Sequence, residues 1–448
     1  MNYYFLGIGG IGMSALARFF KQRGDTVSGY DRTETELTRQ LVAEGISIHY
    51  TDDPSLLPEH IDLVVYTPAV PQHTIEFQYL LQKKIPIQKR SQVLGELTRG
   101  KRCLAVSGTH GKTSTSSLVA HIMSHTDMGC SAFLGGIAKN FDSNVVVDNH
   151  SDYVVVEADE YDRSFHWLRP WMSVITAADP DHLDIYGTKE AYLESFRHYT
   201  TLIQPGGALI IHKGLEVKPD VREGVKVYEY SRDEGDFHAE NIVIANGNIS
   251  FDMVSPLGNV CNVRLGQPIP INIVNGIAAM AMAQLCGCTP DELREGMLTY
   301  KGVDRRFDFH INNEQHVLLS DYAHHPMEIR QCASSLRQLY QGRKITILFQ
   351  PHLYTRTRDF YKDFAESLSL ADEVVLCDIY PARELPIPGV TSQLIYDNLR
   401  PGIEKCMIRR SDVLNYVTER DFDVLVVLGA GDLDNLMPEI TEIIAKKS

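Results

Sequence analysis

Basic charge is in short supply in this 448-residue chain: 43 lysines and arginines face 58 aspartates and glutamates, for a formal net charge of −15. Nucleic-acid phosphates demand a broad basic face, so no nucleic-acid partner is expected. Any anionic substrate must be held by local basic clusters instead. Cysteine is sparse and unpatterned. The eight cysteines form no C-x-x-C pair, and Cys286 and Cys288 stand too close together for a zinc ribbon. Reduced, mostly buried thiols of a cytoplasmic protein are the simple expectation. No uncharged apolar stretch is long enough to span a bilayer, so no membrane insertion is expected. The apolar start lacks the lysine or arginine that opens a signal peptide. No fixed-period repeat and no low-complexity tract is present. The length suits about three domains, each with its own core.

What is present is glycine at informative places. Gly108, Thr109, His110, Gly111, Lys112 and Thr113, with Ser114 next, follow the apolar run Cys103-Leu104-Ala105-Val106 and precede a helical pattern through Leu118, Val119 and Ile122. Strand, glycine loop, Gly-Lys-Thr and helix form the layout of a phosphate-binding loop. Backbone N–H groups and the helix N-terminus cradle phosphates, the lysine reaches the outer ones, and the threonine hydroxyl takes Mg²⁺. The first glycine lies nearer the lysine than in the general pattern, so this is a shortened variant. The chain is expected to bind a nucleoside triphosphate.

A second glycine loop, Gly7-Ile8-Gly9-Gly10-Ile11-Gly12, follows Tyr3-Tyr4-Phe5-Leu6, and Asp31 ends the next β-like run. Alone it would read as a dinucleotide fingerprint with the acid on a ribose. Any pyrophosphate suits such a loop, however. The glycines admit a diphosphate without saying which.

Short apolar strands alternate with helical patterns at Tyr3–Leu6, Val27–Tyr30, Ile46–His49 and Leu63–Tyr66, predicting a mostly parallel sheet. A more basic stretch, 88–102, marks a boundary. The central part adds strands at Tyr153–Val156, Ser173–Thr176 and Ala208–Ile211. A hairpin is expected about Asn246-Gly247-Asn248, and a helix at Ile273–Cys286. From about residue 303 the βα rhythm resumes, with strands at Val317–Leu319, Ile345–Phe349, Val374–Cys377 and Val424–Leu428. Helices are expected at Met327–Tyr340, Phe360–Leu370 and Ser392–Leu399. The fold class is α/β with three domains, 1–98, 99–302 and 303–448.

Polar clusters stand at the carboxyl ends of these strands, where open α/β sheets bind ligands. Glu157-Ala158-Asp159-Glu160 offers carboxylates near the phosphate loop, and Glu157 with Thr113 makes a plausible Mg²⁺ pair. The next strand leads to Asp181-His182-Leu183-Asp184. Arg305 and Arg306 offer forks for phosphate oxygens. Asp321-Tyr322-Ala323-His324-His325-Pro326 and Gln350-Pro351-His352-Leu353-Tyr354-Thr355-Arg356 each follow a strand and suit substrate recognition better than zinc.

In this order, Gly-Thr-His-Gly-Lys-Thr, Glu-Ala-Asp-Glu, Asp-His-Leu-Asp, Arg-Arg-Phe-Asp, Asp-Tyr-Ala-His-His-Pro and Phe-Gln-Pro-His-Leu-Tyr-Thr-Arg-Thr closely resemble the motifs of the Mur ligases. The resemblance covers nearly the whole chain. It implies an N-terminal Rossmann-like domain for a UDP-sugar, a central P-loop ATPase-like domain with a mixed sheet, and a C-terminal Rossmann-like domain admitting an amino acid. The last two motifs and the opening Gly-Ile-Gly-Gly-Ile-Gly-Met-Ser resemble the member that adds L-alanine to UDP-N-acetylmuramate. The sister ligase that attaches a recycled tripeptide to the same sugar is the alternative. On this resemblance Gly7, Gly9, Gly10, Gly12 and Asp31 face the UDP-sugar, and Gly108 to Ser114, Asn275 and Asp321 hold ATP. Thr113 and Glu157 hold one Mg²⁺ and His182 a second. Lys112, Arg305 and Arg306 stabilise phosphate charge, and Tyr322, His324, His352 and Arg356 surround alanine and the muramyl carboxylate. Either His324 or His352 could take the amine proton.

The chain departs from the family pattern at several positions. Leu353 stands where relatives often carry arginine, and Ile271 where they often carry histidine. Ala177 and Asp179 replace a frequent Asn and Glu, and Phe196-Arg197-His198 offers no lysine for carbamylation. The implied chemistry is ATP-dependent amide formation through an acyl phosphate, which needs positioning and countercharge more than a protein nucleophile.

Overall fold

The computed structural model describes residues 1–180, 183–245, 248–304, 306–382 and 384–447. The expected Asn-Gly turn, His182 and Arg305 therefore lie outside the described residues. Contacts divide the chain into two compact units. One comprises Met1–Val243, Ser250–Gln267 and Asn272–Gly302; the other comprises Ile244–Ile249, Pro268–Ile271 and Val303–Ser448.

In the first unit, β1 (Asn2–Leu6), β2 (Thr26–Tyr30), β3 (Ser47–His49), β4 (Leu63–Tyr66) and β5 (Ile87–Lys89) form a sheet of order β3-β2-β1-β4-β5. All its pairings are parallel. Helix α1 (Ile11–Gln22) leaves the glycine loop, and α2 (Glu36–Ala43) follows β2. The second sheet holds β6 (Arg102–Ser107), β7 (Ser131–Ala138), β8 (Ser143–Val146), β9 (Tyr153–Ala158), β10 (Met172–Ile175), β11 (Ala208–His212) and β12 (Lys226–Tyr230). Its order is β12-β11-β10-β6-β9-β7-β8, and β8 alone runs antiparallel, which makes the sheet mixed. One core joins the two sheets: Phe5, Met13, Leu16 and Phe20 lie in the same buried cluster as Phe133, Val145 and Val156. A three-stranded sheet of β13 (His238–Ala245), β14 (Asn248–Val254) and β15 (Val260–Arg264) comes next in the chain, before the helix Ile271–Cys286.

The second unit carries β16 (Asp308–Asn312), β17 (Val317–Asp321), β18 (Ile345–Phe349), β19 (Glu373–Leu376), β20 (Glu404–Met407) and β21 (Val424–Leu428), in the order β16-β17-β21-β18-β19-β20. Only β16 is antiparallel. Ile345, Ile347 and Phe349 point into one core while Leu348 points into another. That alternation of two apolar faces is what a parallel sheet covered on both sides requires.

Candidate functional site

The glycine loop is held by its own neighbours. Gly7 and Ile8 donate their N–H groups to the Tyr30 carbonyl at 2.8 and 3.1 Å. Asp31 Oδ2 accepts from the Gly9 N–H at 2.8 Å, so this acid fastens the loop from within. A Cβ on Gly9 would stand 2.8 Å from both Asp31 Oδ2 and Thr38 Cγ2, and one on Gly12 would stand 2.7 Å from Arg90 Nη1. A side chain at Gly9 would thus strike protein before it reached a diphosphate. The loop opens on a cavity of about 260 Å³, whose lining includes Gly10, Gly12, Arg90, Gly135, Glu157 and Asp159. Arg90 Nη2 lies 3.4 Å from Asp159 Oδ2. The first glycine loop and the carboxylates at the end of β9 therefore share one space.

β6 delivers the phosphate loop. Gly111 takes φ +81° and caps the helix Lys112–Ser124, which has no acidic residue in its first turn. Its free N–H groups suit an anion. Lys112 Nζ donates to the Gly108 carbonyl at 2.6 Å and pairs with Glu160 at 2.9 Å, both side chains being shielded from water. Burial acts to lower the lysine's pKa, but the carboxylates of Glu160, Glu157 and Asp159 hold it above its ordinary value. Burial pushes Glu160 upward while Lys112 works against that shift. Thr109 bonds to the Ala177 and Asp179 carbonyls, and the Ser114 carbonyl accepts from Tyr300 Oη at 3.4 Å. Thr113 is buried, and Glu157 Oε2 accepts from the Gly135 N–H at 3.1 Å. Asn275 is also brought to this loop. Its Oδ1 accepts from Thr115 at 3.4 Å and lies 3.1 Å from where a Gly111 Cβ would be.

In the second unit, β17 ends at Asp321, which accepts the N–H groups of Phe307 and Ala323 at 2.9 and 2.8 Å. Burial raises its pKa to about 6, partly offset by the Arg306 charge. The Arg306 guanidinium sits 5.2 Å from the Tyr322 ring centroid. Tyr322 and His324 rings are 5.3 Å apart, His324 and His352 are 6.0 Å apart, and His352 stacks on Tyr380 at 5.8 Å. His324 Nδ1 lies 3.0 Å from the Tyr322 carbonyl. Burial lowers the His324 pKa, and Arg356 lowers it further while Glu328 opposes both. The imidazole is therefore biased toward its neutral form, as a base must be. Leu353, before the helix Tyr354–Leu368, has φ +72°, strained for a branched side chain. Arg356 lies in the first turn of this helix, where the polar face hid the helix from the sequence pattern. Arg358 is exposed and forks onto Asp359.

Two residues, Arg90 in the cavity and Glu160 against Lys112, went unassigned in the sequence. Arg90 read as part of a basic boundary, although a basic residue directly after β5 was the available signal. Glu160 belonged to a quoted motif, yet its pairing with Lys112 spans 48 positions and has no local signature.

The comparisons agree with this geometry. Residues 2–102 match the Mur ligase family catalytic domain, 106–283 the Mur ligase middle domain, and 305–431 the Mur ligase glutamate ligase domain. The chain belongs to the Mur ligase family. Within it, the chain is 60% identical to the UDP-N-acetylmuramate–L-alanine ligase of Phocaeicola vulgatus, covering 100% of this chain and 98% of that one. It is 50% identical to the enzyme of that name from Porphyromonas gingivalis, over 97% of each. Among solved structures, UDP-N-acetylmuramate–alanine ligase from Thermotoga maritima superposes with a TM-score of 0.84 at 27% identity, covering 100% of this chain and 99% of that one. A murein peptide ligase from Psychrobacter arcticus shares the fold, with a TM-score of 0.73 at 21% identity over 99% and 98% of the two chains.

Proposed function

We propose that this chain joins L-alanine to the lactyl carboxylate of UDP-N-acetylmuramate, with cleavage of ATP to ADP and phosphate through an acyl phosphate, in peptidoglycan precursor synthesis. The observation that carries the reading is the shared cavity, lined by the first glycine loop, Arg90, Glu157 and Asp159, the last two being carboxylates whose charge acts on Lys112 of the phosphate loop. The carboxylate oxygen attacks the γ-phosphorus and ADP leaves. The neutral amine of alanine then attacks the acyl carbon, a proton is lost, and phosphate departs. Lys112 and an arginine of the Arg305–Arg306 pair would neutralise phosphate charge as the anions approach. Thr113 and Glu157 present hard oxygen donors, which fit Mg²⁺; bound there, the ion would offset charge on the β- and γ-phosphates. We assign His182 to a second Mg²⁺ by its motif alone.

Further assignments belong to the same proposal. Gly7 to Gly12 would admit the UDP diphosphate, and Asp31 would act by shaping that loop. Asn275 would contact adenine and Asp321 the ribose. Tyr322, His324, His352 and Arg356 would gather alanine and the muramyl carboxylate, with His324 the better placed base because its neutral form is favoured. We retain 1–98, 99–302 and 303–448 as the functional division. No described helix is long and apolar enough to cross a membrane, and ATP and a UDP-sugar place the reaction in the cytoplasm. The full-length identity favours alanine over the tripeptide, since the likeness to the murein peptide ligase carries the fold alone. ADP release with UDP-N-acetylmuramate should require L-alanine. Equal or greater release with tripeptide, or none with either, would sink the reading.

A further inference from the structure

Helix α1 starts in the glycine loop, yet it is covered on the side away from its own sheet. It packs on β7 and β8 of the second sheet, and the Phe19 and Phe133 ring centroids are 5.0 Å apart. Inside this contact lies a polar group that apolar packing does not need. Asn144, on β8, is 0% exposed. Its amide donates to the Ile11 carbonyl at 2.6 Å and to Ser14 Oγ at 3.0 Å, while its oxygen accepts from Arg18 Nη1 at 2.7 Å. Ser14 Oγ donates to the same Ile11 carbonyl at 2.9 Å. Arg18 is 4% exposed and forks onto Glu44, just past α2, through Nε at 2.9 Å and Nη2 at 2.7 Å. Buried polar groups are costly unless fully satisfied, and a satisfied network fixes one arrangement where apolar contact tolerates sliding.

The fixed arrangement has a clear geometric effect. Ile11 belongs to the glycine loop and lines the shared cavity. β8 pairs with β7, whose Gly135 N–H holds Glu157 of β9, and both residues line that cavity. Asn144 thus ties the glycine loop to the strand pair that holds Glu157. We infer that Asn144, braced by Arg18, is a positioning residue that sets the register between the UDP-sugar loop and the phosphate-transfer side of the cavity. This rests on the function proposed above. On that function the glycine loop would bind the sugar's diphosphate, whereas attack on the γ-phosphorus needs the loop and the Glu157 side of the cavity in register. Misplacement by about 1 Å can cost on the order of a hundredfold in rate.

The test is Asn144→Ala and Asn144→Asp in the full chain, with kcat from ADP release, UDP-N-acetylmuramate Kd from calorimetry without ATP, and Tm. Aspartate keeps the acceptor for Arg18 but loses both N–H donors to the loop side. Both variants should lose at least about tenfold in kcat while Kd stays within about threefold, and Asn144→Asp, whose carboxylate gains an ion pair with Arg18 against the two lost donors, should keep a higher Tm than Asn144→Ala. Should Asn144→Ala fail to fold, Asn144→Asp alone decides. Unchanged kcat in a folded variant overturns the inference. So does a loss expressed wholly as weaker sugar binding, or one that tracks Tm across the two variants. A wild-type protein that releases no ADP with both substrates sinks the functional reading instead, and it does so before any variant is measured.

Discussion

The phosphate loop of the first unit and the strand-end loops of the second solve different problems. Around Lys112 the charges are already matched: the lysine rests on Glu160 and the Gly108 carbonyl, and Glu157 accepts the Gly135 N–H. The second cluster is built from rings and a half-buried arginine, with His324 biased neutral and a strained Leu353 at its edge. On the proposed function, the first region would receive an anion carrying several charges, which displaces an existing partner. The second would receive a small substrate whose amine must shed a proton.

The sharpest way to break this contrast is at Lys112. Lys112→Ala should lower turnover by at least about a hundredfold, comparable with loss of one strong electrostatic stabiliser, and should also lower Tm because Glu160 loses its buried partner. Steady-state ADP release on a variant with wild-type circular dichroism checks it. Near-normal turnover would remove the lysine from the transfer step.

Arg356 tests the other side. Charge-assisted contacts contribute on the order of 1.5–3 kcal/mol, so Arg356→Ala should lower kcat/KM for the sugar and for alanine at least about tenfold. ATP's apparent affinity should hold. Arg358→Ala, whose guanidinium already pairs with exposed Asp359, should differ little from wild type. Equal effects in the two variants would mean that Arg356 is another surface charge.

A smaller effect concerns pH. Burial first, then the Arg356 charge, holds His324 below the ordinary histidine value. The imidazole should therefore stay neutral until the pH drops below about 6.5, and NMR should place its midpoint under that value. Arg356→Ala removes a like charge and should move the midpoint upward. Glu328→Gln removes the opposing carboxylate and should move it downward. A midpoint at or above the ordinary value would end the comparison on this point.

The smallest expected change is in stability. Leu353 at φ +72° stores strain that glycine would relieve, on the order of 1 kcal/mol, against the extra freedom glycine gains when unfolded. Leu353→Gly should raise Tm slightly or leave it unchanged, and scanning calorimetry would show it. A marked fall would mean that the side chain contributes more packing than its backbone costs.

What was legible in the sequence follows the range of the interactions. The phosphate loop, β4, β18 and β21 depend on contiguous residues, and their bounds were readable. β5, three half-buried residues in a basic stretch, had no apolar run to announce it. β7 is not among the expected strands; it carries Gly135 and Gly136, and the close approach of Gly135 to Glu157 leaves no room for a side chain there. The helix Tyr354–Leu368 begins six residues before the expected Phe360, since only Thr357 is buried ahead of Phe364. In the candidate site, motif residues were found individually. The pairing of Lys112 with Glu160, and of Arg90 with Asp159, joins distant segments and becomes visible only once the sheets are ordered.

Double coverage of α1 also bears on modularity. A helix that lies between two sheets belongs to neither alone, and residues 1–98 expressed by themselves would bare the face bearing Phe19 and leave Arg18 without Asn144. The seam at residue 98 separates sheets, yet it does not separate cores. Recombining first and second sheets from different relatives would therefore succeed only when position 144 and the α1 face travel together, so the two should be inherited and engineered as a single cassette.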